Sequence, residues 1–236
     1  MATRMQKFMM GVTLSALCAL PVPAQYRTPP ISSAEQEAAY TASIDNRATE
    51  ILKLLALKDA AKSNRVHAAI VAQYRALRAR DEAIDAELVD LPRDSAPWQA
   101  ARIEMFPQMS KPLHDRFIAK LSGDLTPQQM DIVKDKMTYG KVDFTYSAYC
   151  AIIPDLTDEE KAKVLDLLKE ARDEAMDGGS SDEKSAIFQK YKDQINAYLG
   201  THGRDVAKAT AVWSAKQTVA RKQTGTSGPS SHSAAQ

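Results

Sequence analysis

The stretch of the chain with the richest chemistry is KMTYGKVDFTYSAY, at Lys136–Tyr149, which concentrates tyrosines and lysines around a glycine. Tyrosine combines a flat apolar ring with a hydroxyl, so tyrosines and lysines at a break between helices can form an aromatic pocket with a polar rim. Such a pocket suits a sugar or a peptide. A second aromatic and basic stripe lies in FQKYKDQINAYL, at Phe188–Leu199. The predicted ligand-binding residues are Tyr139, Gly140, Lys141, Tyr146, Tyr149, Lys190 and Tyr191.

The same side chains have a simpler interpretation as packing residues whose polar ends reach the surface. Residues in the Lys136–Tyr149 stretch also allow a catalytic interpretation. Asp143 would act as acid or base while Tyr146 and Lys141 polarise the substrate, which is sufficient for proton abstraction or glycosidic chemistry. Because the stretch holds a single acidic residue, a second carboxylate would have to come from elsewhere, with Asp177 and Glu183 as candidates.

Other residues that carry chemistry form no recognisable motif. The four histidines lack metal-ligand spacing, and the sequence has no Gly-x-Ser-x-Gly, Ser-His-Asp or nucleotide-binding signature. Asp81/Asp85 and Asp173/Asp177 are pairs of carboxylates spaced four residues apart. They could hold a hard cation, but a solvated helix face beside Arg80 or Arg172 is the simpler interpretation. We therefore predict no metal and no cofactor.

These side chains must be positioned by helices. Glycine is sparse, good helix formers dominate, and apolar residues recur every three or four positions, as in Tyr40, Ile44, Ala48, Ile51 and Leu55. Residues 140–153 alternate at first as a strand would, but no partner strand is apparent, so this segment is also predicted to be helical. The expected fold is all-α, a single bundle of roughly six to eight helices joined by short capped turns.

Prolines are expected to interrupt the helices in the middle of the chain. Pro92, Pro97, Pro107 and Pro112 predict a broken stretch with room for only a short helical piece around Trp98–Met105.

Two nearly identical phrases, DLTPQQ and DLTDEE, begin helices rather than bind a ligand. A threonine followed three residues later by Gln or Glu forms a capping box, which contributes about 1 kcal/mol. The predicted boxes pair Thr126 with Gln129, Thr157 with Glu160 and, after Gly178 and Gly179, Ser180 with Glu183.

The first residues have the layout of a signal peptide. Arg4 and Lys7 precede an apolar run that ends in small residues, so cleavage is expected near Ala24. We expect a periplasmic or secreted chain without stable membrane insertion after cleavage. The predicted organisation is a signal peptide at residues 1–24, a helical domain at 33–220 and a disordered tail at 224–236. Cys150 alone would survive processing, and no intramolecular disulfide could form.

The charge of the chain limits the classes of partner that it is expected to bind. The chain has 31 Lys+Arg and 30 Asp+Glu without a basic block, so electrostatics give no reason to expect nucleic-acid binding. Oligosaccharide or peptide remains the expected partner, and the sequence does not predict an oligomeric state.

The run LSGDLTPQQMDIVKDKMTYGKVDFTYSAY, followed by IPDLTDEEK, EARDEAMDGGSSDEKSAIFQKYKDQINAYL and Trp213, resembles an exported bacterial family catalogued as domain of unknown function 3826. The resemblance covers most of Ala34–Trp213. The family has no established activity, but its members often lie beside polysaccharide-degrading genes, which implies a carbohydrate setting. The Leu-Thr-x-x-Gln phrase is also similar to periplasmic stress chaperones of the Spy and CpxP type, although that likeness covers only the helix caps.

Three functional hypotheses follow. The leading one is an exported, soluble helical binding or accessory protein whose ligand surface is the Tyr139–Tyr149 region. The alternatives are a polysaccharide-active enzyme that uses Asp143, and a Spy-like chaperone with a concave apolar face that dimerises.

Overall fold

The computed structural model describes residues 33–225. Within that range the chain forms eight α-helices and no strand, so the all-α prediction is confirmed. The helices are α1 Ser33–Leu55, α2 Ala60–Glu87, α3 Ala96–Ser122, α4 Pro127–Met137, α5 Lys141–Ile152, α6 Asp158–Ala175, α7 Ser181–Thr201 and α8 Val206–Gly225. Of the described residues, 40–225 belong to one compact unit, and 33–39, the first turns of α1, belong to another. The predicted signal peptide and residues 226–236 of the predicted tail lie outside the described residues.

All three predicted capping boxes are present. At the start of α4 the Gln129 backbone N–H donates to the Thr126 hydroxyl over 3.2 Å, and the Gln129 side chain accepts from the Thr126 N–H over 3.1 Å. The starts of α6 and α7 have the same reciprocal arrangement. Local hydrogen bonding therefore fixes where these helices begin.

The segment with two possible interpretations is helical, as predicted. Tyr139 and Gly140 both adopt left-handed backbone angles, with φ of 61° and 65°, and this pair turns the chain from α4 into α5. Glycine adopts such angles without steric cost. Val142 and Tyr149 on α5 are buried, which is one helical face rather than the alternate faces of a strand.

The predicted break is present at Pro92, between α2 and α3, but the further breaks predicted at Pro107 and Pro112 were wrong. Helix α3 runs without interruption through Pro107 and Pro112. A proline inside a helix costs about 3 kcal/mol because it removes a hydrogen bond and crowds the preceding turn. Here contacts with α2 stabilise the helix, since Arg80 donates to the Ser110 hydroxyl and stacks over the Phe106 ring.

The core consists of three clusters of buried side chains. One draws mainly on α1 to α4 and includes Ile51, Ile70 and Val133. Another draws on α5 to α7 and includes Leu168 and Ile195. The third joins α2 to α3 through Ile84, Leu88 and Trp98.

The prediction of a solvated face beside Arg80 and Arg172 was also wrong. Both arginines are buried, with 3% and 5% of their surface exposed. Arg172 on α6 donates to Asp131 over 2.6 Å and to Asp135 over 2.7 Å, which ties α6 to α4. A buried arginine is tolerated because its donors are met by carboxylates.

None of the helices in residues 33–225 combines the length and the apolar character that crossing a membrane would require.

Candidate ligand-binding cleft

Helices α3, α6 and α7 line an open cleft with a volume of about 1060 Å³, which we call the α3/α6/α7 cleft. Its acidic lining residues are Asp115, Glu170, Asp173, Glu174, Asp177 and Glu183. Its basic ones are Arg102, Lys111 and Lys190, and its remaining functional side chains are His114, Ser110, Phe106, Tyr191, Ile103 and Ile187. The cleft therefore combines aromatic and aliphatic surface with many hydrogen-bonding groups.

Helical periodicity explains how these residues reach one cleft. On α3 the residues Arg102, Phe106, Ser110 and His114 are each four apart and form one stripe. On α6 and the turn after it, Glu170, Asp173, Glu174 and Asp177 repeat at intervals of three or four. The same spacing on α7 brings Glu183, Ile187, Lys190 and Tyr191 to the opposite wall.

A buried network holds one end of the cleft together. The guanidinium of Arg80 donates to the Ser110 hydroxyl over 2.8 Å, to the Asp177 carbonyl over 2.6 Å and to the Asp81 carboxylate over 2.8 Å. Arg102 bonds both Asp81 and Glu183, so the network connects α2, α3 and α7. Burial is the largest single influence on Glu183 and works against its ionisation, but the hydrogen bond and charge of Arg102, together with the Gly179 and Ser180 N–H groups, hold the pKa of Glu183 below its usual value.

The loop between α6 and α7 must pass close to this network. A methyl group on Gly179 would lie 1.9 Å from an Asp81 carboxylate oxygen. Gly179 also donates its backbone N–H to Glu183 over 2.7 Å. The loop between α6 and α7 is thus also part of the cleft's framework.

His114 and Asp177 are in contact with each other in the wall of the cleft. The His114 Nδ1 lies 3.1 Å from the Asp177 Oδ2, and 24% of the histidine side chain is exposed. The hydrogen bond with Asp177 raises the pKa of His114 above its usual value, because it favours the imidazolium. Within residues 33–225 the cleft thus has a histidine oriented by a carboxylate.

The buried cations Arg80 and Lys184 lie near Asp177. Lys184 Nζ donates to the Ala175 and Met176 carbonyls over 3.0 and 3.3 Å, and burial lowers the pKa of Lys184 to about 8. Asp177 is 8% exposed, and its Oδ1 has no hydrogen-bond partner among the described residues. A carboxylate in this position has no strong side-chain hydrogen bond except the one to His114.

The opposite wall carries a second polar group. Lys190 Nζ donates to Glu174 over 2.7 Å, and the Tyr191 hydroxyl donates to the same carboxylate over 3.0 Å. Burial, together with the bond to Glu174, raises the pKa of Tyr191 to about 12. Tyr191 therefore stays a neutral phenol with an aromatic ring beside the cleft.

The structure divides the predicted ligand residues between two places. Lys190 and Tyr191 line the α3/α6/α7 cleft, whereas the residues from Tyr139 to Tyr149 do not. Tyr139 is exposed at the turn before α5, beside Gly140 and Lys141. Tyr149 is buried, and its hydroxyl donates to Asn196 over 2.8 Å.

The residues of the catalytic alternative also lie outside this cleft. Asp143 is exposed in the first turn of α5, Lys141 begins the same helix, and Tyr146 is half-buried beside the half-buried Cys150. The two carboxylates suggested as partners, Asp177 and Glu183, do line the cleft.

Sequence reasoning missed His114, Phe106 and the buried role of Arg80. One local signal was available, because Ser110 and His114 stand four apart within a stripe that includes Phe106. The predicted break at Pro107 and Pro112 hid that stripe by dividing it between two elements.

Among the described residues, no group of three or more His, Cys, Asp or Glu side chains is arranged to hold a metal ion.

The fold and cleft define an all-helical protein with an open cleft lined by polar and aromatic side chains. The chain belongs to the family described as a protein of unknown function (DUF3826), whose model matches residues 41–219. This confirms the resemblance seen in the sequence, and the matched range contains the whole cleft. The family match does not extend to the Spy and CpxP chaperones. None of the curated proteins compared with the chain matches it.

Proposed function

We propose that the chain is an exported binding protein for neutral oligosaccharides and that the α3/α6/α7 cleft is its binding site. The observation that supports this most directly is the composition of the cleft. Phe106 and Tyr191 offer aromatic surface, and paired charges around them offer acceptors and donors for hydroxyl groups.

The charge of the cleft favours a neutral ligand over an anionic one. Six carboxylates and three permanent cations line it, so its field is negative. Most of these carboxylates already have a cationic partner, as Glu174 has in Lys190 and Glu183 has in Arg102. Their remaining lone pairs can accept bonds from sugar hydroxyls, whereas a uronic acid would meet repulsion.

Export is supported by the layout of residues 1–24 in the sequence. The carbohydrate setting is supported by the chemistry of the cleft and by the family resemblance.

Calorimetric titration of the purified chain tests this function. The probes are xylohexaose, cellohexaose and mannohexaose, with trigalacturonate as the anionic comparison. We expect at least one neutral hexaose to bind and trigalacturonate to bind at least tenfold more weakly. Absence of binding by every neutral hexaose would contradict the proposal.

Alanine substitutions test where the oligosaccharide binds. Tyr191→Ala and Phe106→Ala should each weaken binding by about tenfold, the effect of losing one aromatic contact of about 1.4 kcal/mol. Tyr198→Ala is the matched control, because Tyr198 lies on the same helix, outside the cleft, with its ring 4.4 Å from that of His202. The double variant Tyr139→Ala, Tyr146→Ala tests the α5 surface; if it alone abolishes binding, the site lies there instead.

A further inference from the structure

We propose that the same cleft is an active site in which His114 acts as a general base that activates water to hydrolyse an O-acyl ester on a bound carbohydrate. This inference rests on the proposed function, since the carbohydrate must first occupy the cleft. Asp177 is the positioning residue for His114.

The orientation of His114 supports the role of a base. Its Nδ1 lies 3.1 Å from the Asp177 Oδ2, so the neutral ring carries its proton on Nδ1 and keeps the lone pair on Nε2. Nε2 has no hydrogen-bond partner within the described part of the chain, and the side chain is partly exposed to the cleft. A water molecule or substrate group in the cleft can therefore approach Nε2.

The position of Asp177 is suited to holding that ring. It is more than nine-tenths buried, its Oδ1 is unpartnered, and its own backbone carbonyl is fixed by Arg80 over 2.6 Å. The buried ammonium of Lys184 lies near enough to interact with the Asp177 carboxylate electrostatically.

Water rather than serine is the nucleophile. Ser110 lies one helical turn before His114, but its hydroxyl donates to the Phe106 carbonyl over 2.6 Å and accepts from Arg80 over 2.8 Å. The proton of the Ser110 hydroxyl and one lone pair of its oxygen are thus already engaged in hydrogen bonds. No hydrogen bond between Ser110 and His114 is present among the described residues.

Water is the co-reactant of the hydrolysis, and it supplies the oxygen and the proton that the products gain. Nε2 of His114 takes a proton from water as the water oxygen bonds to the acyl carbonyl carbon. The carbonyl re-forms, the bond from the acyl carbon to the sugar oxygen breaks, and Nε2 returns the proton to that oxygen. The products are the free sugar hydroxyl and the carboxylic acid, which ionises. Lys111 and Lys190 line the same cleft and can stabilise the negative charge that develops on the carbonyl oxygen.

An ester fits this site better than a glycosidic bond. Cleaving a glycoside requires a protonated acid beside the leaving oxygen. The pKa values of the lining carboxyls Asp115 and Glu183 are held below their usual values, by Lys111 and Arg102 respectively. An ester has a better leaving group and needs only a base and a returned proton.

The pH dependence follows from the groups around His114. The charged groups that line the cleft around it, or act on it from α4, are Arg102, Lys111, Asp115, Lys134, Glu170, Asp173, Glu174, Asp177, Glu183 and Lys190. The bond with Asp177 is the strongest influence and raises the pKa of His114 above 6.5. The rate should rise with pH through that pKa, because only the neutral imidazole is a base.

The test measures acetate released from acetylated xylooligosaccharides by the purified full chain. His114→Gln and Asp177→Asn should each reduce the rate by 100-fold or more, the usual contribution of a general base being about 10²–10⁴. The loss of rate should greatly exceed any loss of binding of the deacetylated oligosaccharide, which calorimetry measures, and thermal unfolding establishes that both variants are folded. His67→Gln is the matched control, because His67 forms a similar pair with Asp45, at 3.3 Å, outside the cleft.

A positioning role for Asp177 predicts one more result, which a merely structural role would not give. The residual activity of Asp177→Asn should have its pH midpoint shifted to lower pH. Acetate release that is absent from a wild-type chain that binds the oligosaccharide, or unchanged in His114→Gln, would overturn the esterase inference and leave the binding function intact. Failure of every neutral hexaose to bind would overturn both.

Discussion

The Nδ1 of His114 and the Oδ2 of Asp177 lie 3.1 Å apart although 63 residues separate them in the chain. His114 belongs to α3, whereas Asp177 follows the last turn of α6. The pair therefore forms only when the α6–α7 hairpin has packed against α3. Formation of the pair thus shows that the cleft is assembled.

The titration of His114 should reveal this contact. A group with a raised folded-state pKa stabilises the fold fully below its unfolded pKa and loses that contribution as pH rises through the folded value. The excess stability of the wild type over His114→Gln should therefore be largest below pH 6.5 and narrow above it. Urea unfolding at several pH values measures this, and a gap that widens with rising pH would contradict the assignment.

Gly179 should be intolerant of a side chain. In Gly179→Ala the added methyl would meet Asp81 at 1.9 Å, and Asp81 is held by Arg80 and Arg102. Displacing it should reduce the free energy of unfolding by about 1–3 kcal/mol.

The matched control is Gly200→Ala, in the last turns of α7, where an added methyl has nothing within 4 Å. Because alanine favours a helix over glycine, this change should stabilise the chain by about 0.5–1 kcal/mol. Thermal unfolding of the two variants should give shifts of opposite sign. Equal shifts would mean that the loop does not approach Asp81.

Arg80 should contribute far more to stability than an exposed arginine. In Arg80→Met the Ser110 hydroxyl and the Asp177 carbonyl lose their buried donor, which should cost about 2–4 kcal/mol. Arg93→Met provides the comparison, because Arg93 is 70% exposed, pairs with Asp85 at 3.1 Å and lies 5.5 Å from the centre of the Trp98 ring. Its cost should be within about 0.5 kcal/mol of zero. Chemical denaturation that shows similar costs for both would refute the buried network.

Acid should selectively remove the contribution of Glu160. Hydrogen bonds from Arg204 and from the Thr157 backbone lower the pKa of Glu160 to about 2 from an ordinary value of 4.5. Since the folded value is the lower one, the stabilisation is present above pH 4.5 and disappears as pH falls towards 2.

The wild type should accordingly exceed Glu160→Gln in stability at pH 6, and the difference should shrink between pH 4.5 and 2. Glu159→Gln, at the exposed neighbouring position, should show little difference at either pH. A gap between wild type and Glu160→Gln that is independent of pH would show that Arg204 does not bind the carboxylate.

The elements of the fold were predictable because their causes are local. Thr126 and Gln129 are three residues apart, and their capping box forms from the segment's own atoms. The helicity of α5 followed from the absence of any partner strand. The cleft was not predictable, because Arg80 reaches the Asp177 carbonyl across 97 residues. Tertiary contact also overrode the local preference of Pro107 and Pro112, which is why α3 is continuous.

The predicted ligand residues show the same division. Lys190 and Tyr191 stand out by residue type and do line the cleft. His114 has no local feature that separates it from the other histidines, since its distinguishing partner comes from another helix.

The most direct test of the central claim, that carbohydrate binds in the α3/α6/α7 cleft, is a methyl NMR titration with the neutral hexaose that binds most tightly. The isoleucine methyls of Ile103 and Ile187 line the cleft, whereas Ile44 and Ile195 are buried elsewhere. We predict saturable shifts at Ile103 and Ile187 with little change at Ile44 and Ile195. Shifts absent from both cleft methyls while the ligand binds would contradict the claim.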